Sequence, residues 1–484
     1  MEMPSFQSIQ FTDQLPLQAQ LQTHLKDWIC EGRLSPGTKL PSSRRLSAEL
    51  GVSRNTITLV IEQLRAEGFL ETYPGKGVYV AKSLPVNIYG IKQIDWQYKK
   101  AQAKLSDFAN ELSAKPLAEH SQTLPFSPGV PDLDAFPFKI WNSLQRQHQM
   151  RTCLMGYDGN QGHKPLREAL AEYLRLSRGV RCHSNQIIIT QGAQQAISLC
   201  AQILINEGDD VLIENPGYMG AKKAFRARGA TLTPCQLSEN GLDIDSLVSI
   251  SHKTSPYKLM YCTPTHQYPL GGILPAAERL KLLDWAAQNN TWIIEDDYDS
   301  EFHFHHNPVA ALQGMAKNTP VIYMGSFSKT LFPALRLGYL VVPEELVDTF
   351  VKAKSFMSGE SSLLPQAVIA DFIHEGHFVR HLRRMRQLYQ EKWHHLHQLI
   401  QDKLKNKVTV IAKSAGMHLA VEIPHCDDKH LSIVLKEKGF GSSPLSSYFL
   451  DKSKMTGLVL GFANTTQQQR ENLVSELSKL IDKM

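Results

Sequence analysis

The sequence predicts a multidomain chain: an N-terminal winged helix-turn-helix, then a larger α/β domain with a mainly parallel sheet, then a smaller α+β region. Three observations carry that prediction. Residues 10–81 hold three helical patterns followed by two short strands around a glycine-rich turn. Further on, apolar strands alternate with helical stretches, which implies helices on both faces of a mainly parallel sheet. After about Gln366 the order changes, with strands read at 408–411, 417–423 and 458–462 and a closing helix to Ile481. A chain of 484 residues is long enough for two or three such units.

Composition narrows the classes. Hydrophobic residues at 42% and charged ones at 20% are ordinary for a soluble globular protein. No apolar run reaches the roughly 20 residues that span a bilayer, so no membrane partner is expected. The opening Met-Glu-Met-Pro-Ser-Phe-Gln lacks the basic and apolar regions of a signal peptide. The 7 cysteines include no Cys-x-x-Cys pair and read as reduced thiols, so the expected location is the cytoplasm. A net charge of +5 permits nucleic-acid binding without arguing for it.

Within residues 10–81, Leu17, Leu21, Leu25 and Ile29 recur at helical spacing and stop at Glu31-Gly-Arg-Leu-Ser-Pro-Gly37. Pro41-Ser-Ser opens a second helix with a serine as N-cap and Leu46 and Leu50 facing inward. Gly51-Val52 makes a tight turn, and Ser53 caps a third helix carrying Ile57, Val60, Ile61 and Leu64. Past Gly68, Phe69-Leu-Glu-Thr-Tyr and Val78-Tyr-Val read as strands joined through Pro74-Gly-Lys-Gly77.

Two helices across a glycine turn, followed by a hairpin, make a winged helix-turn-helix, with double-stranded DNA as the expected partner. Ser53-Arg54-Asn-Thr-Ile-Thr58 occupies the first turn of the helix that enters a major groove. An arginine there reads guanine bidentately, and hydroxyls take phosphates. Arg44 and Arg45 begin the preceding helix, and Lys76 tips the wing. A small helical domain for protein contacts is the alternative, since acids and bases nearly balance here. The positions of the cations favour a groove. Residues 82–124 are loosely patterned and read as a linker, with Gln97–Leu105 polar and Ala118–Thr123 plain loop.

The large half, 125–484, opens with a helix at 164–176, a strand at 187–190 and a helix at 194–206. Strands at 211–214, 230–234 and 258–262 follow, with helices at 276–289 and 344–357. The chemistry concentrates in Met324-Gly-Ser-Phe-Ser-Lys-Thr-Leu-Phe-Pro-Ala-Leu-Arg-Leu-Gly-Tyr339. Apolar runs at 321–323 and 337–342 flank it, so Lys329 sits close to low-dielectric surroundings. Desolvation lowers a lysine's pKa, and a neutral amine forms a Schiff base with an aldehyde. Ser326, Ser328 and Arg336 suit a phosphate. A cofactor that is both an aldehyde and a phosphate ester is pyridoxal 5'-phosphate (PLP). An isolated Ser-x-Ser-Lys is ordinarily a loop tip; the buried flanks argue against that here.

Partners for this cofactor stand upstream. Thr291-Trp-Ile-Ile-Glu-Asp-Asp-Tyr298 is a buried strand running into acids, where Asp296 can hold a pyridine nitrogen protonated and Tyr298 can donate to the ring hydroxyl. Ile187-Ile-Ile-Thr-Gln-Gly-Ala-Gln-Gln195 is a strand, a glycine turn and a helix start, whose backbone N–H groups face an anion.

From about Pro125 to the C-terminus the chain resembles the fold-type I aminotransferases. The likeness is most specific at Ser-Phe-Ser-Lys329-Thr-Leu-Phe-Pro-Ala-Leu-Arg336-Leu-Gly-Tyr and Glu-Asp296-Asp-Tyr298-Asp-Ser-Glu-Phe. With Thr263-Pro-Thr-His-Gln-Tyr-Pro-Leu-Gly271, these runs look like the aminotransferase-like half of MocR-type regulators, a branch of the GntR family. Leu34-Ser-Pro-Gly-Thr-Lys-Leu-Pro-Ser-Ser-Arg44-Arg-Leu and Gly51-Val-Ser-Arg54-Asn-Thr resemble the GntR DNA-binding domain. That resemblance implies DNA contacts at Arg44, Ser53, Arg54, Thr56, Thr58, Gly75 and Lys76. Thr58 stands where many members carry an arginine.

The same resemblance implies that Lys329 is the Schiff-base lysine, that Asp296 pairs with the ring nitrogen and that Tyr298 meets the ring oxygen. Gly192, Ala193, Gln194, Ser326, Ser328 and Arg336 would hold the phosphate, and Tyr218 would stack on the ring. His266 and Gln267 stand where the usual loop has an asparagine. A homodimer with active sites at the subunit boundary is implied as well.

Many aminotransferases grip the substrate α-carboxylate with an arginine in a C-terminal strand; the matching run Gly457-Leu-Val-Leu-Gly-Phe462 has Val459 there. The function implied is a PLP-dependent transcription regulator that senses PLP or a small amine or amino acid through Lys329. A working aminotransferase with an accessory DNA-binding domain is the alternative, and a regulator with an inert ligand domain is a third reading.

Three further patterns draw less. His303-Phe-His-His306 lacks the cysteine or acid of a tetrahedral metal set, so no metal is expected. His374-Glu-Gly-His377 lacks the spacing that puts two rings on one helical face. Arg380-His-Leu-Arg-Arg-Met-Arg386 reads as a basic helix face, solvated or at a dimer contact.

Overall fold

The computed structural model describes residues 6, 9–12, 15–83, 104–106, 109–110, 123–250, 256–304, 309–405, 407–411, 415–451 and 455–483. Most of the segment read as a linker lies outside them, as do His305 and His306. The chain forms two compact units, Met1–Ser106 and Asp107–Met484.

In the first unit, helix α1 (Leu17–Cys30) buries Leu21, Leu25, Trp28 and Ile29. Helix α2 (Ser43–Leu50) starts on Ser42, whose hydroxyl accepts from the Arg45 N–H at 3.3 Å. It ends at Gly51 with φ 66°, a left-handed cap that favours glycine. Helix α3 (Arg54–Ala66) starts on Ser53, which accepts from the Thr56 N–H at 3.2 Å, and buries Ile57, Val60 and Leu64. Strands β1 (Leu70–Tyr73) and β2 (Gly77–Val80) pair antiparallel with Tyr73 opposite Gly77. One core holds the helices and hairpin together through Trp28, Leu46, Val60, Leu64, Phe69 and Val80. This is the winged helix-turn-helix read from the sequence.

The second unit is built on β3 (Ile187–Thr190), β4 (Asp210–Glu214), β5 (Thr231–Cys235), β8 (Leu259–Cys262), β9 (Trp292–Asp296), β10 (Val321–Ser326) and β11 (Gly338–Val341). A small hairpin, β6 (Leu237–Ser238) and β7 (Gly241–Leu242), follows β5. The seven-stranded sheet has the order β3-β11-β10-β9-β8-β4-β5. Its pairings are parallel except where β11 enters between β3 and β10.

Period-two alternation sends one set of side chains to each face. Val211, Ile213, Tyr261 and Ile294 pack under helices Ala193–Leu204, Met219–Arg226 and Val347–Ser358. Leu212, Met260 and Ile293 pack under helices Ile244–Ile250 and Ala276–Gln288. The helix read at 344–357 begins as a 3-10 turn at Glu344–Leu346 and becomes α-helical at Val347.

The C-terminal region carries a four-stranded antiparallel sheet ordered β12-β13-β15-β14, from β12 (Thr409–Val410), β13 (His418–Glu422), β14 (Ser443–Pro444) and β15 (Gly457–Gly461). Helices His377–Leu404 and Gln467–Ile481 cover it. It does not have a core of its own, since Leu419, Leu458 and Leu460 share one cluster with Phe126, Trp141, Leu170 and Ile189. A strap at 124–129 is fixed to it: Phe126 O accepts from the Gly461 N–H at 2.9 Å and Pro125 O from the Gly441 N–H at 2.7 Å.

The basic run at Arg380–Arg386 is only partly a solvent face. His381 is buried with Nε2 3.0 Å from Thr330 O, and Arg386 Nε donates to Glu301 O at 2.9 Å. Leu382 and Met385 take the inward positions of that helix, which explains the difference.

Candidate cofactor site and nucleic-acid interface

Strands β3, β9 and β10 end on one edge of the sheet, at Thr190, Asp296 and Ser326. Open α/β sheets bind their ligands at that edge. A cavity of about 400 Å³ lies there. Of the residues read from the sequence for the cofactor, all but Gly192, His266 and Gln267 line it.

Lys329 sits on the short helix Phe327–Thr330, whose N-cap Ser326 accepts from the Ser328 N–H at 3.1 Å. Its Nζ donates to Gly129 O at 2.8 Å. Burial pushes the Lys329 pKa below the ordinary lysine value, opposed by the charges of Asp299 and Asp296. A buried lysine of this kind is a nucleophile poised for an aldehyde.

Asp296 accepts from the Tyr261 hydroxyl through Oδ2, while its Oδ1 is buried with no partner. Burial pushes its pKa up to about 7 against the pull of the Tyr261 bond. A protonated ring nitrogen would give Oδ1 the partner it lacks, so the acid fits PLP. The phosphate end fits too. Helix Ala193–Leu204 starts after Gly192 with no side-chain cap, which turns its first N–H groups toward an anion. A Cβ placed on Gly192 would lie 3.6 Å from the Arg336 guanidinium, so that cation covers the same turn. Ser326 and Ser328 complete the cradle on the cavity wall.

Tyr298 keeps its phenolic proton, because burial, reinforced by the Asp299 charge, holds its pKa well above the usual value. Its hydroxyl meets His266 Nδ1 at 3.0 Å, and that nitrogen also meets the Asp299 carboxylate at 3.0 and 3.1 Å. His266 thus stands behind Tyr298, with the two rings stacked at 6.1 Å. Gln267 faces away from the cavity. Its amide donates to Glu214 Oε2 at 3.3 Å, Pro216 O at 3.0 Å and Tyr268 O at 2.7 Å, pinning the loop. Thr263 and Tyr268 are the residues of that loop that line the cavity. Tyr218 also lines it, edge-on to Tyr268 with centroids 5.9 Å apart.

Gly129, Tyr261, Asp299 and His418 were not singled out by sequence reading, yet all line the cavity. For Asp299 the run of acids after β9 was a usable signal; His418 comes from β13 and gave none. His266, Asp299 and His418 place potential ligand atoms within 4.8 Å of one another. At 3.0 Å the His266–Asp299 contact is a charge-assisted hydrogen bond. His303 Nδ1 lies 3.3 Å from its neighbour Ser300's carbonyl. Val459 on β15 is buried against Leu445 and Tyr448.

Behind the sheet edge, Arg178 Nε donates to Asp297 Oδ2 at 2.7 Å, with exposures of 3% and 1% for the two side chains. Its other nitrogens donate to Val309 O at 3.1 Å and Thr265 Oγ1 at 2.9 Å. The Tyr323 hydroxyl donates to the same carboxylate oxygen at 2.5 Å. One buried cation therefore holds both the acidic turn after β9 and the 263–268 loop.

In the first unit, Arg44, Ser53, Arg54, Thr58, Gly75 and Lys76 are exposed and Thr56 is half-buried. Two of the hydroxyls have local work: Ser53 Oγ meets Thr56 Oγ1 at 2.9 Å, and Thr58 donates to Arg54 O at 2.9 Å. Lys39 adds a cation beside the wing, bridging Tyr79 of β2 with Nζ 5.8 Å from its ring.

The Asp296 arrangement carries a pH prediction. A carboxyl raised to about 7 stabilises the cofactor-free fold below its unfolded pKa near 3.8, and that contribution is lost as pH rises through about 7. Pairing with a ring N–H favours the ionised form. PLP should therefore raise the melting temperature more above pH 7 than below it, and Asp296→Asn should flatten the difference. Melts with and without PLP test this; an equal gain for parent and variant across that range contradicts the pairing.

A doubly wound domain whose lysine, acid and anion cradle converge at one sheet edge is an aminotransferase-type fold, here preceded by a winged DNA-binding domain. Residues 122–477 match the family described as aminotransferase class I and II, and residues 17–80 match the gntR family of bacterial regulatory proteins. The chain is 38% identical to a probable rhizopine catabolism regulatory protein MocR of Rhizobium meliloti, over 93% of this chain and 90% of that one. It is 28% identical to the HTH-type pyridoxine biosynthesis transcriptional regulator PdxR of Corynebacterium glutamicum, over 96% and 95%. A solved α-aminoadipate aminotransferase, LysN of Thermus thermophilus complexed with N-(5'-phosphopyridoxyl)-L-leucine, matches with a TM-score of 0.70. That match has 27% identity and covers 78% of this chain and 95% of the other. The chain belongs to the MocR-type regulators of the GntR family, and the aminotransferase fold with its PLP-complexed relative implies PLP use.

Proposed function

We propose that this protein is a homodimeric transcription regulator that binds two DNA half-sites and senses PLP, together with a small amine or amino acid, through Lys329. The observation that carries the reading is the buried, pKa-lowered Lys329 facing one cavity with the half-satisfied Asp296. PLP bound there supplies an aldehyde that combines with amines and a ring that withdraws electrons.

The chain's own groups set the terms. Lys329 Nζ offers a nucleophilic amine, Asp296 Oδ1 holds a proton at the ring nitrogen, and Tyr298 keeps a phenolic proton beside the ring oxygen. Arg336, Ser326, Ser328 and the helix start at Ala193 take the phosphate, and Tyr218 packs on the ring. An effector shifts the regulator only if it binds the DNA-competent and incompetent states unequally. Among the described residues no helix is long and apolar enough to cross a membrane.

Exposed apolar side chains support the dimer. Tyr157 and Phe356 are 95% and 90% exposed, on segments tied together where Glu360 accepts from the Asp158 N–H at 2.9 Å. Exposed aromatic side chains of this size suit a protein contact. Two DNA-binding units on one dimer gain avidity through effective concentration.

The test is a DNA titration of the full chain with and without PLP. Arg54→Ala should weaken specific binding by about 1–3 kcal/mol and relax base preference. Lys76→Ala should weaken binding to all sequences alike and lower the salt slope by about one unit. The interface is misplaced if both variants bind specific and random duplexes as the parent does.

A further inference from the structure

The cavity that takes the cofactor also has to take the effector, and its wall is selective about charge. Among the described residues lining it, the cationic side chains are Lys329 and Arg336. Both have assigned work: Lys329 Nζ is the reactive amine, and Arg336 covers the anion-binding helix start at Gly192. Asp296 and Asp299 offset these two charges on the same wall. A bound phosphate ester then tips the whole cavity negative.

Four of the neutral donors on the wall are committed elsewhere. The Thr263 hydroxyl donates to Glu214 Oε2 at 2.6 Å, and the Gln194 amide donates to Gly220 O at 3.1 Å. The Tyr268 hydroxyl pairs with the Tyr448 hydroxyl at 3.1 Å. His418 Nε2 lies 3.0 Å from the Pro269 carbonyl, which fixes that nitrogen as the donor. Burial keeps the ring neutral, so Nδ1 is left as an acceptor. Val459 on β15 is packed behind Tyr268 and Tyr448 and brings no cation from that strand. A carboxylate placed here would be buried without a counter-charge, which is strongly unfavourable. An ammonium or hydroxyl would instead meet Asp299, the His418 acceptor and the faces of Tyr218 and Tyr298.

We infer that the effector is a primary amine that carries no carboxylate, as opposed to an α-amino acid. This rests on the reading of the cavity as a PLP site, and the experiment separates the two. The full-length protein is first loaded with PLP and its absorption spectrum recorded. It is then titrated with matched pairs: tyramine and tyrosine, putrescine and ornithine, cadaverine and lysine. Binding is read by calorimetry and by the change in DNA affinity. In every pair that gives a response, the decarboxylated member should bind more tightly by about tenfold or more. The inference is overturned if the amino acids bind as tightly as the amines, bind more tightly, or if no pair gives a response. A protein that takes up no PLP at the first step overturns the cofactor reading itself, and this inference with it.

Discussion

Lys329→Ala should abolish covalent retention of PLP. In the parent, borohydride should fix the cofactor onto a peptide containing Lys329, because that side chain brings the one lysine amine to the cavity wall among the described residues. The effect expected is all-or-none, since alanine leaves no amine to react. The variant should still bind a DNA half-site, because the winged unit has its own core around Trp28, Val60 and Leu64. Its full-site affinity should no longer answer PLP or amines. Mass spectrometry of the reduced, digested protein checks the first part, and DNA titration the second. Parent-level retention of PLP by the variant would move the reactive group elsewhere and sink the mechanism.

Arg178→Ala should strongly destabilise the second unit, by about 3–5 kcal/mol. The guanidinium is buried and makes bonds to Asp297, Val309 and Thr265. Removing it strands the Asp297 carboxylate in the interior with the Tyr323 hydroxyl as its remaining hydrogen-bond partner. The same change removes one of the bonds that hold the 263–268 loop, so the variant should lose PLP affinity as well as stability. Denaturant unfolding of the cofactor-free protein gives the direct reading. A midpoint within experimental error of the parent's would show that the buried pair is not needed to hold the sheet edge.

The sheet edge was legible in the sequence because its strands announce themselves. Ile187–Thr190, Trp292–Asp296 and Val321–Ser326 are short apolar runs that break into polar chemistry, so Lys329 and Asp296 could be placed from the sequence alone. The helix caps at Ser42 and Ser53 were legible for the same local reason. Residues delivered from afar were not. His418 looks like one more alternating position of β13, and Gly129 like a loop glycine, until folding sets them on the cavity wall.

Within the 263–271 loop the sequence pointed to His266 and Gln267, and Tyr268 follows them directly. Only the backbone decides that Tyr268 points in while Gln267 turns to Glu214. Arg178 gave no signal because its partner lies 119 positions away in the chain.

The Lys329–Gly129 hydrogen bond has a mechanical meaning. Residue 129 closes the strap at 124–129, and Phe126 pins that strap to Gly461. The reactive amine is therefore also a fastener on that strap. A hydrogen bond of this kind contributes about 0.5–1.5 kcal/mol, and any ligand that engages the amine must compete with it. Occupancy of the cavity and the fastening of the 124–129 strap are coupled at one atom, Lys329 Nζ.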